Sequence, residues 1–195
     1  MTIRRTIGVL ALQGAVSEHA SILTDLGAHV ILVRRTEHLN GLDGLVIPGG
    51  ESTAIARIAA PLGLFPAVRN LVSGGLPVFG TCAGLILLAH TVEDADALAG
   101  FDRIATLDIT AQRNAYGNQL ASREAPVDFM PTPTVQPVAA FIRAPHISSV
   151  GPRAKVIATA DGVPVAVQQD NQLAATFHPE ITGESAFHHY FLSLV

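Results

Sequence analysis

Three short apolar runs in this chain each end in a glycine-bearing turn that opens into helical sequence. Residues 6–12 run into Gln13-Gly14, residues 45–47 into Pro48-Gly49-Gly50, and residues 77–81 into Cys82-Ala83-Gly84. Strand-length apolar runs alternating with helical stretches predict an α/β fold, and strands with no polar face are those that helices cover on both sides in a mostly parallel sheet. After the first run, His19, Ile22, Leu23 and Leu26 fall on one helical face, with Gly27 where a helix C′ glycine belongs. Further strands are expected at 29–33, 155–160, 163–168 and 173–177, with a helix over 66–72 and another after Cys82. A closing helix has Phe187, Tyr190, Phe191 and Leu194 on one face. The stretch 94–137 reads less regularly: strands are expected near 105–110 and 127–129, and Pro126, Pro131, Pro133 and Pro137 make its later part loop-rich.

The length of 195 residues suits a single domain, and 49% hydrophobic residues with a mean hydropathy of +0.39 exclude disorder. Twelve Lys+Arg against 16 Asp+Glu, with no basic stripe, argue against nucleic-acid binding. The uncharged stretch 71–92 is broken by Gly74, Gly75, Pro77, Gly80 and Gly84, so no membrane span is expected. The apolar run after Arg4-Arg5 stops at Gln13 without a cleavage-like site, so no signal peptide is expected either. One cysteine excludes an intrachain disulfide, and the expected location is cytoplasmic.

That cysteine, Cys82, sits in Gly80-Thr-Cys-Ala-Gly84 between strand and helix. Small neighbours permit the sharp turn of a nucleophile elbow, and a cysteine at a helix N-terminus feels the positive end of the helix dipole. The competing reading is a buried structural cysteine. Thr176-Phe-His-Pro-Glu180 supplies a base and its orienting partner: in extended chain His178 and Glu180 project to the same side, and Pro179 keeps His178 out of helical geometry. The alternative is a loop histidine beside an exposed glutamate. In Pro48-Gly-Gly-Glu-Ser-Thr53 the glycines let backbone N–H groups approach a ligand, as half of an oxyanion hole, and Ser52 is a candidate helix N-cap. The Lys of a phosphate-binding P-loop is missing. Arg113 and Arg143, beside apolar residues in a chain poor in cations, are candidates for holding a carboxylate or for surface salt bridges. Among the other histidines, His19 and His29 read as structural, His90 as a packing residue, and His38, His188 and His189 as surface positions. No His/Cys/Asp/Glu grouping has metal-ligand spacing.

Together the Cys elbow, Phe177-His-Pro-Glu180 and Pro48-Gly-Gly-Glu-Ser52 resemble the triad-type (class I) glutamine amidotransferases, which have a flavodoxin-like α/β fold. Leu10-Ala-Leu-Gln-Gly-Ala-Val16, Arg113-Asn-Ala-Tyr-Gly117 and Phe141-Ile-Arg-Ala-Pro-His-Ile147 narrow the resemblance to the glutaminase subunits of pyridoxal 5′-phosphate synthase. The resemblance implies that Cys82 attacks the side-chain amide of L-glutamine, with His178 as base and Glu180 orienting it. Gly50 and Ala83 would offer oxyanion-hole N–H groups, and Gly50, Glu51, Ser52, Arg113, Ile142 and Arg143 would surround the glutamine. It further implies ammonia delivery to a separate synthase subunit that makes the cofactor from a pentose phosphate and a triose phosphate. Activity would be weak until that subunit docks and the backbone near Gly49-Gly50 rearranges. No cofactor is implied for this chain. A glutaminase serving another acceptor and a non-catalytic binding module are the two alternatives. The first is disfavoured by the Arg113-Asn and Ile142-Arg-Ala-Pro-His blocks, the second by the intact Cys82, His178 and Glu180.

Overall fold

A computed structural model describes residues 4–113 and 123–195. Residues 114–117 of the Arg113 motif lie outside them.

The first strand, β1 (Thr6–Leu10), pairs in parallel with β2 (His29–Val33) and β3 (Gly44–Ile47). Next to β3 lies β4 (Val78–Thr81), and beside that β13 (Gln172–Ala175), both parallel to it. The order β2-β1-β3-β4-β13 is the flavodoxin-like arrangement of five parallel strands. The same sheet continues antiparallel through β12 (Val163–Gln169), β11 (Lys155–Ala160) and β8 (Asp128–Phe129). The hairpin joining β11 to β12 turns on Asp161-Gly162, both at positive φ (51° and 77°), as a two-residue primed turn requires.

Alternation along the strands divides the core into two layers. Leu45, Ile47 and Val78 pack with α2 (Ser52–Ala59), α3 (Leu64–Ser73) and α4 (Ala83–Leu88). Ile7, Val9, Val46 and Phe79 face the other way, against Leu23 of α1 (Val16–Asp25) and Phe187 and Phe191 of α5 (Ala186–Leu194). Helices thus cover both faces, as the apolar strands predict. No single helix among the described residues is long and apolar enough to cross a membrane.

Two small sheets flank this frame: β10 (His146–Val150), β6 (Leu107–Gln112) and β5 (Ala89–Val92) in one, β7 (Arg123–Pro126) and β9 (Val138–Phe141) in the other. Buried glutamines tie the first to the main sheet: Gln169 Oε1 accepts from Asp108 N (2.8 Å), and Thr106 Oγ1 donates to Gln172 (2.6 Å).

The structure corrects several expectations. The first strand ends at Leu10 rather than residue 12, and the last at Ala175 rather than residue 177. His29 and His90 are exposed rather than structural or packed, whereas His188 is completely buried rather than on the surface. The faces of α5 explain this last case, since His188 lies three residues before Phe191 and shares its inward side.

Candidate active site

Because β1, β3, β4 and β13 are parallel, their carboxyl ends meet at one edge of the sheet. Each contributes a residue or loop there. At the end of β4, Cys82 turns the chain into α4 with φ 48° and ψ −103°, a conformation that strains an L residue. Its N–H donates to Ala175 O at 2.8 Å, which pins the turn to the end of β13. Glycine is needed on both sides: a Cβ on Gly84 would lie 2.1 Å from Ile47 O, and one on Gly80 would lie 2.7 Å from the carbonyl carbon of Gly84. The sulfur is buried, with Ile142 O 4.0 Å away.

Beyond β13 the chain stays extended. The His178 N–H donates to Ala140 O at 2.8 Å in an isolated bridge to β9. Its Nδ1 lies 2.7 Å from Glu180 Oε1, inside the protein, and the Cys82 side chain stands near enough to the ring to influence its pKa. Burial pulls the His178 pKa down, but hydrogen bonds and charge from Cys82 and Glu180 outweigh it and raise the value to about 10.

The loop after β3 closes over the same imidazole. A Cβ on Gly49 would stand 2.2 Å from His178 Cε1, so only glycine lets loop and ring approach this closely. Gly49 N–H donates to Thr81 Oγ1 at 3.0 Å, and Glu51 N–H to Gln13 Oε1 at 2.7 Å. Gly14 (φ 105°) packs the β1 loop against the Gly49 carbonyl.

The N-cap of α2 is Glu51, not Ser52: its carboxylate accepts from Thr53 N (3.0 Å) and Ala54 N (2.7 Å), while Ser52 is the first helical residue. Partial burial pushes the Glu51 pKa up, but those N–H groups and Arg113 outweigh it and hold the carboxyl below its usual range. Arg113 Nη2 reaches Glu51 Oε1 at 3.2 Å and Thr53 Oγ1 at 3.0 Å. Gly50 borders Gln13, and Ala83 is the first residue of α4. Arg143, exposed with φ 46°, sits in the bend next to Ile142. Cys82, His178 and Glu180 thus gather at one edge with Ile142 O near the sulfur, while Arg113 braces the cap of α2. Sequence reasoning missed Gln13 as a loop brace and Thr81 as the acceptor for Gly49, although both adjoin motifs it used.

Residues 9–195 match the model of the SNO glutamine amidotransferase family. The chain belongs to that family. Among similar curated proteins is the pyridoxal 5′-phosphate synthase subunit PdxT of Leifsonia xyli subsp. xyli, 51% identical over 188 residues that cover 95% of this chain and 93% of the relative. The subunit of the same name from Methanocorpusculum labreanum is 47% identical, with 97% of each chain covered. A crystal structure of a glutamine amidotransferase superposes with a TM-score of 0.89 at 40% identity, covering 96% of this chain and 97% of its own. A GMP synthase subunit from Thermoplasma acidophilum, at 17% identity and a TM-score of 0.65, shares the fold.

Proposed function

We propose that this chain is the glutaminase subunit of a pyridoxal 5′-phosphate synthase, a single cytoplasmic amidotransferase domain that hydrolyses L-glutamine to L-glutamate and passes the ammonia to a synthase subunit. The observation that carries this reading is the short His178–Glu180 contact of 2.7 Å on an imidazole that stands beside Cys82 at the same sheet edge. Identities of 51% and 47% to PdxT subunits support the acceptor.

His178 takes the Cys82 thiol proton, and the imidazolium so formed stabilises the thiolate. The sulfur attacks the side-chain carbonyl carbon of glutamine, and the negative charge moves to the carbonyl oxygen, where the Gly50 and Ala83 N–H groups receive it. With Nδ1 engaged by Glu180, His178 gives its Nε2 proton to the amide nitrogen. The C–N bond breaks, ammonia leaves and a thioester remains. Water then attacks the thioester, giving a proton to the neutral His178. The C–S bond breaks, thiolate returns and glutamate is released. Gly50, Glu51, Ser52, Arg113, Ile142 and Arg143 surround the substrate, with Arg143 matching the α-carboxylate.

The test is ammonia release from glutamine by the purified chain with and without the cognate synthase subunit. Weak release that rises sharply on adding that subunit is expected. Strong release indifferent to it would point to another acceptor, and none in either condition would overturn the glutaminase reading.

A further inference from the structure

Behind Glu180 lies a polar group that the hydrolytic steps do not use. His19 of α1 and His188 of α5 are both completely buried, and His19 Nδ1 lies 2.8 Å from His188 Nε2. Phe79 stands edge-on to both rings, at centroid distances of 6.3 and 5.6 Å. The other ring nitrogen of His19, Nε2, is 3.1 Å from Thr81 Oγ1 and 3.4 Å from Glu180 Oε2.

The carboxylate explains what this pair is for. Glu180 Oε1 is taken by His178, while Oε2 is buried and, among the described residues, makes no conventional hydrogen bond; its ion-pair neighbour is His19. A carboxylate oxygen removed from water needs a donor. Burial holds both buried histidines below their usual pKa, His188 at about 4, so at neutral pH each ring carries one N–H. The bond at one nitrogen then decides where the proton sits. The Glu180 oxygen 3.4 Å from Nε2 favours the tautomer of His19 that carries its proton there, and His19 then accepts at Nδ1 from His188 Nε2. Thr81, at the same nitrogen, accepts the Gly49 N–H at 3.0 Å.

We infer that His19, oriented by His188, is a positioning residue that holds the second oxygen of Glu180 and, through Thr81, the Gly49-Gly50 loop, so that one imidazole keeps base and oxyanion loop in register. The inference rests on the triad reading above. It requires a donor at the Nε2 position specifically, which a residue that merely fills space would not.

His19→Gln places an amide nitrogen near Nε2, and His19→Asn places it near Nδ1. Each variant is assayed for glutamine hydrolysis in complex with the synthase subunit, alongside Cys82→Ala. His19→Asn should lower kcat about 10- to 100-fold, the range for losing a hydrogen bond to a charged group, with KM nearly unchanged. His19→Gln should recover most of the loss. Equal kcat in the two variants, whether normal or reduced, or a loss confined to KM, would overturn the inference. If His19→Asn fails to fold by circular dichroism, the pair His188→Gln and His188→Asn is used, with the same order expected and the same overturning results. Hydrolysis surviving in Cys82→Ala would instead sink the triad reading, so the two failures are distinguishable.

Discussion

At the scale of residues, the centre is a set of short contacts around one imidazole. In the proposed triad His178 serves Cys82, is held by Glu180 and lies under the glycine loop, so its removal should disable every step. Cys82→Ala and His178→Asn should each lower glutamine hydrolysis by about a thousandfold or more, since nucleophile and base act as a unit; near-normal ammonia release by either would contradict the assignment. Arg143 differs because it is exposed and follows Ile142, whose carbonyl lies near the Cys82 sulfur. Arg143→Ala should raise KM for glutamine about tenfold and leave kcat nearly intact, the signature of lost uniform binding. An unchanged KM in a saturation curve would remove Arg143 from the substrate site.

At the scale of elements, the site exists because α4 presses unusually close to β3 and β4. The contact depends on Gly84, where a methyl group would fall 2.1 Å from the Ile47 carbonyl oxygen. That neighbour is backbone and belongs to a fully buried strand, so it has little room to yield. Gly84→Ala should therefore destabilise the protein by about 3 kcal/mol through overpacking, read as a lower denaturant midpoint with an unchanged slope. A midpoint equal to wild type would show that α4 can shift away. The strand-end motifs were legible in the sequence because their signals are local: glycine spacing around Cys82, and Pro179 between His178 and Glu180. The cap of α2 was misread as Ser52 because serine and glutamate stand side by side in Gly50-Glu-Ser52, and only the backbone turn at Glu51 (φ −99°, ψ 112°) decides between them. The flanking strands β5, β7, β9 and β10 were not read from the sequence. They are short, and β5 and β10 carry register shifts that break the period-two pattern.

At the scale of the whole molecule, the histidines bend the pH dependence of stability in both directions. His178 has its folded-state pKa raised to about 10 from the ordinary 6.5, so its contribution is complete below 6.5 and is lost as pH rises through about 10. His188 has its value depressed to about 4, so the folded state resists protonation: that contribution holds above 6.5 and is lost as pH falls toward 4. Thermal unfolding should give a maximum Tm near neutrality and a fall on each side. His188→Gln should flatten the acid limb selectively, and an acid limb identical to wild type would exclude His188 as its source.

The sequence by itself determined the fold class and the sheet edge at which Cys82, His178 and Glu180 gather, because apolar runs, glycine turns and a proline act on the backbone within a few residues. It also held enough family signal to point to the glutaminase reading. Only the tertiary structure decided which histidines are buried. His19 and His188 are 169 residues apart, and nothing local to either announces the other. They meet because α1 and α5 pack on the same face of the sheet, around Phe79, which brings the two buried imidazoles within hydrogen-bond distance.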